Sequence, residues 1–170
     1  MPRFPFPGGG DISCIISPSL CAIDIDPIET FKEAQKELSR SFDNMPQKFP
    51  NLSEDIKAGL VNIGNQVKSW TILSFQSYIK AYEFVEPALD IIPEGLFGGP
   101  GLVDVIIKST VKNYYNSGLA TGEEDCTVVV KAAIAFYAYN IKETKPDLAY
   151  FLMGSTLTDA IPAACRLFLN

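Results

Sequence analysis

The sequence predicts an all-α protein, an irregular bundle of four to six helices with an extended Pro/Gly-rich N-terminal arm. Apolar side chains beyond residue 26 recur three and four positions apart, the spacing that gathers them on one face of a helix. Pro, Gly and capping residues bound these segments, and strand-length alternation of apolar and polar residues is lacking. Val128-Val129-Val130 could open a strand, but the Ala- and Lys-containing continuation favours a helix.

Residues 1–25 read as the arm and residues 26–170 as a single helical domain. Three Pro and three Gly fall among the first ten residues, which favours extended backbone, and Phe4 and Phe6 give that arm apolar anchors. The first helix starts at Asp26-Pro27-Ile28-Glu29, with Asp26 as N-cap, Pro27 in the first turn and Glu29 in the reciprocal capping position. Ile28, Phe31, Leu38 and Phe42 share its apolar face, and the helix is expected to end before Pro46.

A second, longer helix is expected from about residue 51 or 53 toward Pro87, with Ile56, Leu60, Ile63, Val67 and Trp70 forming an a/d-like seam. A continuous helix of that length would reach about 50 Å, more than a small domain spans, so a break is expected, with Gly59 and Gly64 as weak points. A Gly/Pro-rich loop follows, then a third helix over about 102–117 that stops at Gly118. Glu123, Glu124 and Asp125 suit the first turn of a fourth helix reaching about residue 142. In the last segment, 148–170, Pro162 implies a kink or two shorter helices.

The final 45 residues hold only seven charged side chains, so these helices need cover on most sides. Phe136, Phe151 and Ile161 are therefore expected inside. Lys131, Asp159 and Arg166 interrupt the apolar run and are candidate buried charges, each needing a partner or a route to water. These charges and Pro162 also argue against a transmembrane span. Trp70, Tyr114, Phe136, Tyr139, Phe151 and Ile161, with Phe4 and Phe6, are candidates for an interface or an apolar cavity, although core packing is the commoner role of such residues.

Composition excludes several chemistries. The chain has no histidine, which removes Ser–His and Cys–His nucleophilic pairs and histidine-ligated zinc. A net charge of −6 without a basic stripe disfavours nucleic acid. Cys14, Cys21, Cys126 and Cys165 form no C-x-x-C motif. They could pair as Cys14–Cys21 and Cys126–Cys165 if the last two helices lie antiparallel. The lack of a clear signal or transit peptide instead favours four reduced, partly buried thiols and leaves the compartment open. Asn51-Leu52-Ser53 is a glycosylation sequon that matters only in a secreted protein.

Two further clusters are weak. Gly98-Gly99-Pro100-Gly101 precedes a helix, but Leu102 and Val103 stand where a phosphate-binding loop needs Lys and Ser/Thr. Glu83, Glu86, Asp90 and Glu94 read as a solvated acidic face. No catalytic, metal or cofactor site is expected. The reading is a non-enzymatic structural or interaction protein, an accessory or scaffold subunit with self or hetero protein partners. A helical carrier of an apolar ligand such as a lipid or pigment is the alternative, and a surface-active or membrane-inserting bundle a further one.

Overall fold

The structure, a computed structural model, describes residues 27–90, 101–118, 123–156 and 158–169. It is all-α, and no strand occurs among the described residues. The helices are α1 (Pro27–Lys48), α2 (Glu54–Val67), α3 (Ile72–Glu83), α4 (Val85–Asp90), α5 (Leu102–Asn116), α6 (Glu123–Ile141), α7 (Pro146–Ser155) and α8 (Ala160–Leu169). The proposed arm lies outside the described residues.

Five helices read from the sequence thus correspond to eight segments among the described residues. The long second helix is three, and its first break falls at residues 68–71 and not at a glycine. Thr71 ends the gap as N-cap of α3, its hydroxyl accepting from the Ser74 backbone N–H at 3.2 Å. On the other side of the gap, the Gln35 amide of α1 donates to the carbonyl oxygens of Val67 (2.7 Å), Lys68 (3.1 Å) and Trp70 (3.1 Å). Val67 ends α2, its carbonyl also accepting from the Trp70 backbone N–H at 3.0 Å, and Lys68 and Trp70 lie just beyond, where a helix end leaves carbonyls short of intrahelical donors. A side chain 32 positions away in sequence therefore finishes α2.

Gly64 serves a different purpose from the one its sequence context implies. It is buried within α2, and a Cβ there would lie 3.0 Å from Phe42 Cβ and 3.1 Å from the Ser39 carbonyl oxygen. The missing side chain lets α1 and α2 approach closely without interrupting the helix.

The first helix also runs past its expected end. Pro46 lies inside α1, which continues to Lys48. Proline withdraws one amide donor near the helix end, where Met45 and Phe49 are fully buried and hold the last turn against the core. Beyond it, the Phe49 ring meets Tyr150 of α7 edge-on at 5.2 Å. The Lys142 ammonium sits 5.8 Å from the centre of the same ring.

At the C-terminal end, α7 and α8 are separate helices, but Pro162 is not the break. It occupies the first turn of α8, where its missing N–H has no intrahelical acceptor to lose. Thr156, Thr158 and Asp159 belong to the turn between α7 and α8. There the hydroxyls of Ser155, Thr156 and Thr158 donate to the carbonyls of Leu152, Met153 and Ser155 at 2.6–2.8 Å. Three successive hydroxyl bonds of this kind compete with helix continuation. Gly118 behaves as expected, with φ +82° just beyond the Ser117 C-cap of α5.

The core is built around α6, which packs against α2, α3, α4, α5, α7 and α8. Val129, Val130 and Ala132 through Ala138 are buried. Ala132, Ala133, Ala135 and Ala138 keep the helix slim, so neighbours cover it on several sides, and Phe136 meets Phe42 of α1 at a ring separation of 6.3 Å. The charge-poor C-terminal region is thus covered largely by the chain itself. No described helix is long and apolar enough to cross a membrane.

Candidate interaction surface

The apolar candidates fall mostly inside. Trp70, Tyr114, Phe136 and Ile161 are buried, while Tyr139 and Phe151 are half-buried, so Phe151 is less enclosed than its sequence context implies. Trp70 belongs to an aromatic group that joins α1 to α3, with centroid separations of 5.5 Å to Tyr78 and 5.7 Å between Phe31 and Phe75. Phe4 and Phe6 lie outside the described residues.

The candidate buried charges are not buried. Asp159 and Arg166 are exposed and Lys131 is half-buried, because the turn between α7 and α8 and the outer face of α8 bring the first two to solvent. Lys131 is the one interruption of the buried run 129–138 on α6. Its aliphatic stem suits that intermediate position, where the ammonium keeps a path to water.

The cysteines depart from the reduced reading at one pair. Cys126 on α6 and Cys165 on α8 form a disulfide with Cα atoms 6.0 Å apart, and both residues are buried. The packing of α6 against α8 brings together positions 39 residues apart. Cys14 and Cys21 lie outside the described residues.

A polar group occupies the junction of α3, α4 and α6. Tyr82 and Tyr137 have ring centroids 5.9 Å apart, and the Asn140 amide donates to the Tyr82 phenol oxygen at 2.8 Å. Burial, then the Glu86, Tyr82 and Asp90 charges in turn, push the Tyr137 phenol up to about 12. Burial also raises Tyr82, against the lowering influence of the Asn140 bond, with Glu86 adding to the rise. Tyr78, wholly buried, is raised well above the ordinary phenol range by burial and then by Tyr82. Ionisation is resisted throughout, which makes these phenols hydrogen-bonding and packing groups at neutral pH.

The acidic cluster is split accordingly. Glu83 ends α3, whereas Glu86 and Asp90 belong to α4, and all three are exposed. Glu94 lies outside the described residues. Among the described residues no group of three or more carboxylate or thiol side chains is placed to hold a metal ion. Gly101 starts α5 in the left-handed region at φ +83°, with open space where a side chain would stand. The rest of the Gly/Pro loop, 98–100, is outside the described residues.

Sequence patterning alone missed an open groove of about 670 Å³ along α1, bordered by Lys68 beyond α2. Lys32, Lys36 and Arg40 stand one turn apart along it, and Lys68 faces them. Glu29, Glu33 and Asp43 share the same walls, while the half-buried Gln35 and the buried Ser39 form polar parts of its lining. None of the seven charged side chains makes an ion pair among the described residues. Four cations and three anions leave the groove one positive charge in excess, on a chain whose net charge is −6. The expectation of no basic stripe is corrected on α1: Lys32, Lys36 and Arg40 repeat at i, i+4 and i+8, interspersed with Glu29, Glu33 and Asp43.

Compared with protein-family models, curated proteins and solved structures, the chain matches none.

Proposed function

We propose that this chain is a non-enzymatic interaction protein, an accessory or scaffold subunit that binds a carboxylate-rich segment of another protein along α1. The observation that carries this reading is the groove, where Lys32, Lys36, Arg40 and Lys68 project without ion-pair partners among the described residues. Cations spaced by one helical turn, about 6 Å, match carboxylates at the same repeat on a partner helix. The interspersed Glu29, Glu33 and Asp43 make the surface selective, because a purely acidic partner meets repulsion at those positions.

The apolar surface supports a polar mode of contact. The large exposed apolar residues Ile28, Val61, Leu73, Val105, Tyr115 and Leu167 are distributed over α1, α2, α3, α5 and α8. Exposed apolar residues scattered in this way are ordinary for a protein surface.

The test is native mass spectrometry of protein purified from its source at low ionic strength, beside the charge-neutral variant K32Q/K36Q/R40Q. A co-purifying chain bound about ten-fold more weakly by the variant supports the reading, on the basis of roughly 0.5 kcal/mol for each exposed pair. A monomer that carries no partner and resists dilution overturns it.

A further inference from the structure

We propose that Asn51 is an N-linked glycan acceptor and that the chain folds in an oxidising, secretory-type compartment. Two independent observations converge on this reading. One is the Cys126–Cys165 disulfide, which joins residues on different helices inside the core. Disulfides of this structural kind persist where thiols are oxidised and are rare where glutathione and thioredoxin keep them reduced. The other is Asn51-Leu52-Ser53, the single N-x-Ser/Thr sequence in the chain.

The sequon lies where a glycan fits. Asn51 is exposed in the turn between α1 and α2, so a sugar on its side chain meets solvent. Leu52, between the two polar residues, is buried and anchors the turn to the core. Ser53 is the N-cap of α2, its hydroxyl accepting from the Ile56 backbone N–H at 3.3 Å. That bond belongs to the folded chain. In the extended chain the same hydroxyl is available to an enzyme that reads the sequon, so modification precedes closure of α2.

The chemistry balances with reactants of the same compartment. In the glycan transfer, the Asn51 amide nitrogen attacks the anomeric carbon of a polyprenyl-pyrophosphate-linked oligosaccharide. A C–N bond forms, the anomeric C–O bond breaks, the polyprenyl pyrophosphate leaves and the amide proton passes to a base of the transferase. In the disulfide step, the thiols of Cys126 and Cys165 lose two protons and two electrons to a protein disulfide oxidant, which is reduced to its dithiol.

The experiment is peptide mapping of the intact protein from its native source, alkylated before any reductant is added. The tryptic fragment 49–57 contains the whole sequon, so its mass reports the site directly. The expected result is a carbohydrate mass on that fragment, removed by peptide N-glycosidase with conversion of the asparagine to aspartate. In the same digest, Cys126 and Cys165 are expected in one disulfide-linked pair that resists alkylation. The companion measurement is secretion from a eukaryotic cell behind an exchangeable leader, where N51Q is expected to lose the entire carbohydrate mass and keep the disulfide. An unmodified fragment 49–57 from disulfide-bonded, secreted protein overturns the glycan assignment. Alkylated, free Cys126 and Cys165 in the native material overturn the compartment. Neither outcome bears on the groove of α1, whose test is partner binding.

Discussion

The Ser39 hydroxyl of α1 donates a 2.9 Å hydrogen bond to the Gly64 carbonyl of α2, at a crossing where residue 64 has no room for a side chain. Both residues are buried, so the bond satisfies a polar group that water does not reach freely. The approach and the bond depend on one another: the glycine admits Ser39, and Ser39 rewards the close crossing.

Substitution at Gly64 tests this directly. Alanine in a helix interior gains up to about 1 kcal/mol over glycine. Here its Cβ would stand 3.1 Å from the Ser39 carbonyl oxygen, a backbone atom that cannot rotate away. Overpacking of this kind costs about 1–3 kcal/mol, so G64A is expected to lose about 1 kcal/mol net and G64V more. Urea midpoints of the two variants against the parent check the order, and a G64A protein more stable than the parent contradicts it.

The disulfide closes a loop across which Cys126 and Cys165 are 39 residues apart. In the loop-entropy account this constrains the unfolded chain by about 4 kcal/mol, an upper estimate because unfolded chains keep residual structure. The C126A/C165A double variant is expected to lose about 2–4 kcal/mol in chemical denaturation. Adding reductant should lower the parent toward the variant and leave the variant unchanged. A parent insensitive to reductant at its denaturation midpoint counts against the pair.

Alkaline pH is expected to destabilise the fold through the tyrosines. The Tyr137 phenol is pushed up to about 12 in the folded state, whereas an unfolded phenol titrates near 10. Below about pH 10 both states are protonated and stability is independent of this group. Between about pH 10 and 12 the unfolded state has lost the proton that the folded state retains, so stability falls as pH rises. The loss attributable to Tyr137 is of order 1 kcal/mol after discounting for solvent screening, and Tyr78 and Tyr82 shift in the same direction. A Y137F variant should show a shallower decline across this window in thermal melts. Equal slopes for variant and parent contradict the assignment.

How much of this was legible in the sequence depends on where each signal resides. Pro27, Gly118 and the boundaries of α5 and α6 follow from local rules, because a proline in the first turn or a glycine past the end acts through its own backbone. The break after α2 does not. Neither Gly nor Pro occurs in residues 68–71, and the gap is finished by Gln35 from another helix. A local trace did exist, since Thr71 and Ser74 have the spacing of an N-cap and its first turn. Asp159 and Arg166 were misplaced for a related reason: an apolar neighbourhood in sequence is not one in space, and the turn after α7 carries them outward. The groove was missed because Lys68, its far wall, is 36 positions from Lys32 in sequence.

Gln35 supplies the sharpest electrostatic test of the fold. Its amide donates toward three carbonyls, those of Val67, Lys68 and Trp70, where the partial negative end of the α2 dipole is concentrated. Removing the donor in Q35A leaves the part-buried Trp70 carbonyl without this bond and the Val67 carbonyl with only the Trp70 backbone N–H, and should cost about 1 kcal/mol. Q35E keeps the shape and changes the sign. At neutral pH it aims a carboxylate at carbonyl oxygens and a helix C-terminus, so it should be less stable than Q35A. When the introduced carboxyl is protonated it can donate again. Its pKa should therefore lie above the ordinary carboxylate range, since the folded state favours the neutral acid. With a raised folded pKa, Q35E regains stability as pH falls through that value and loses it as pH rises, opposite to the usual acid destabilisation of proteins. Comparing Q35E with the parent at each pH removes the contribution of the other carboxylates. A difference that does not narrow from about pH 7 to about pH 4 would show that Gln35 does not terminate α2 through these bonds.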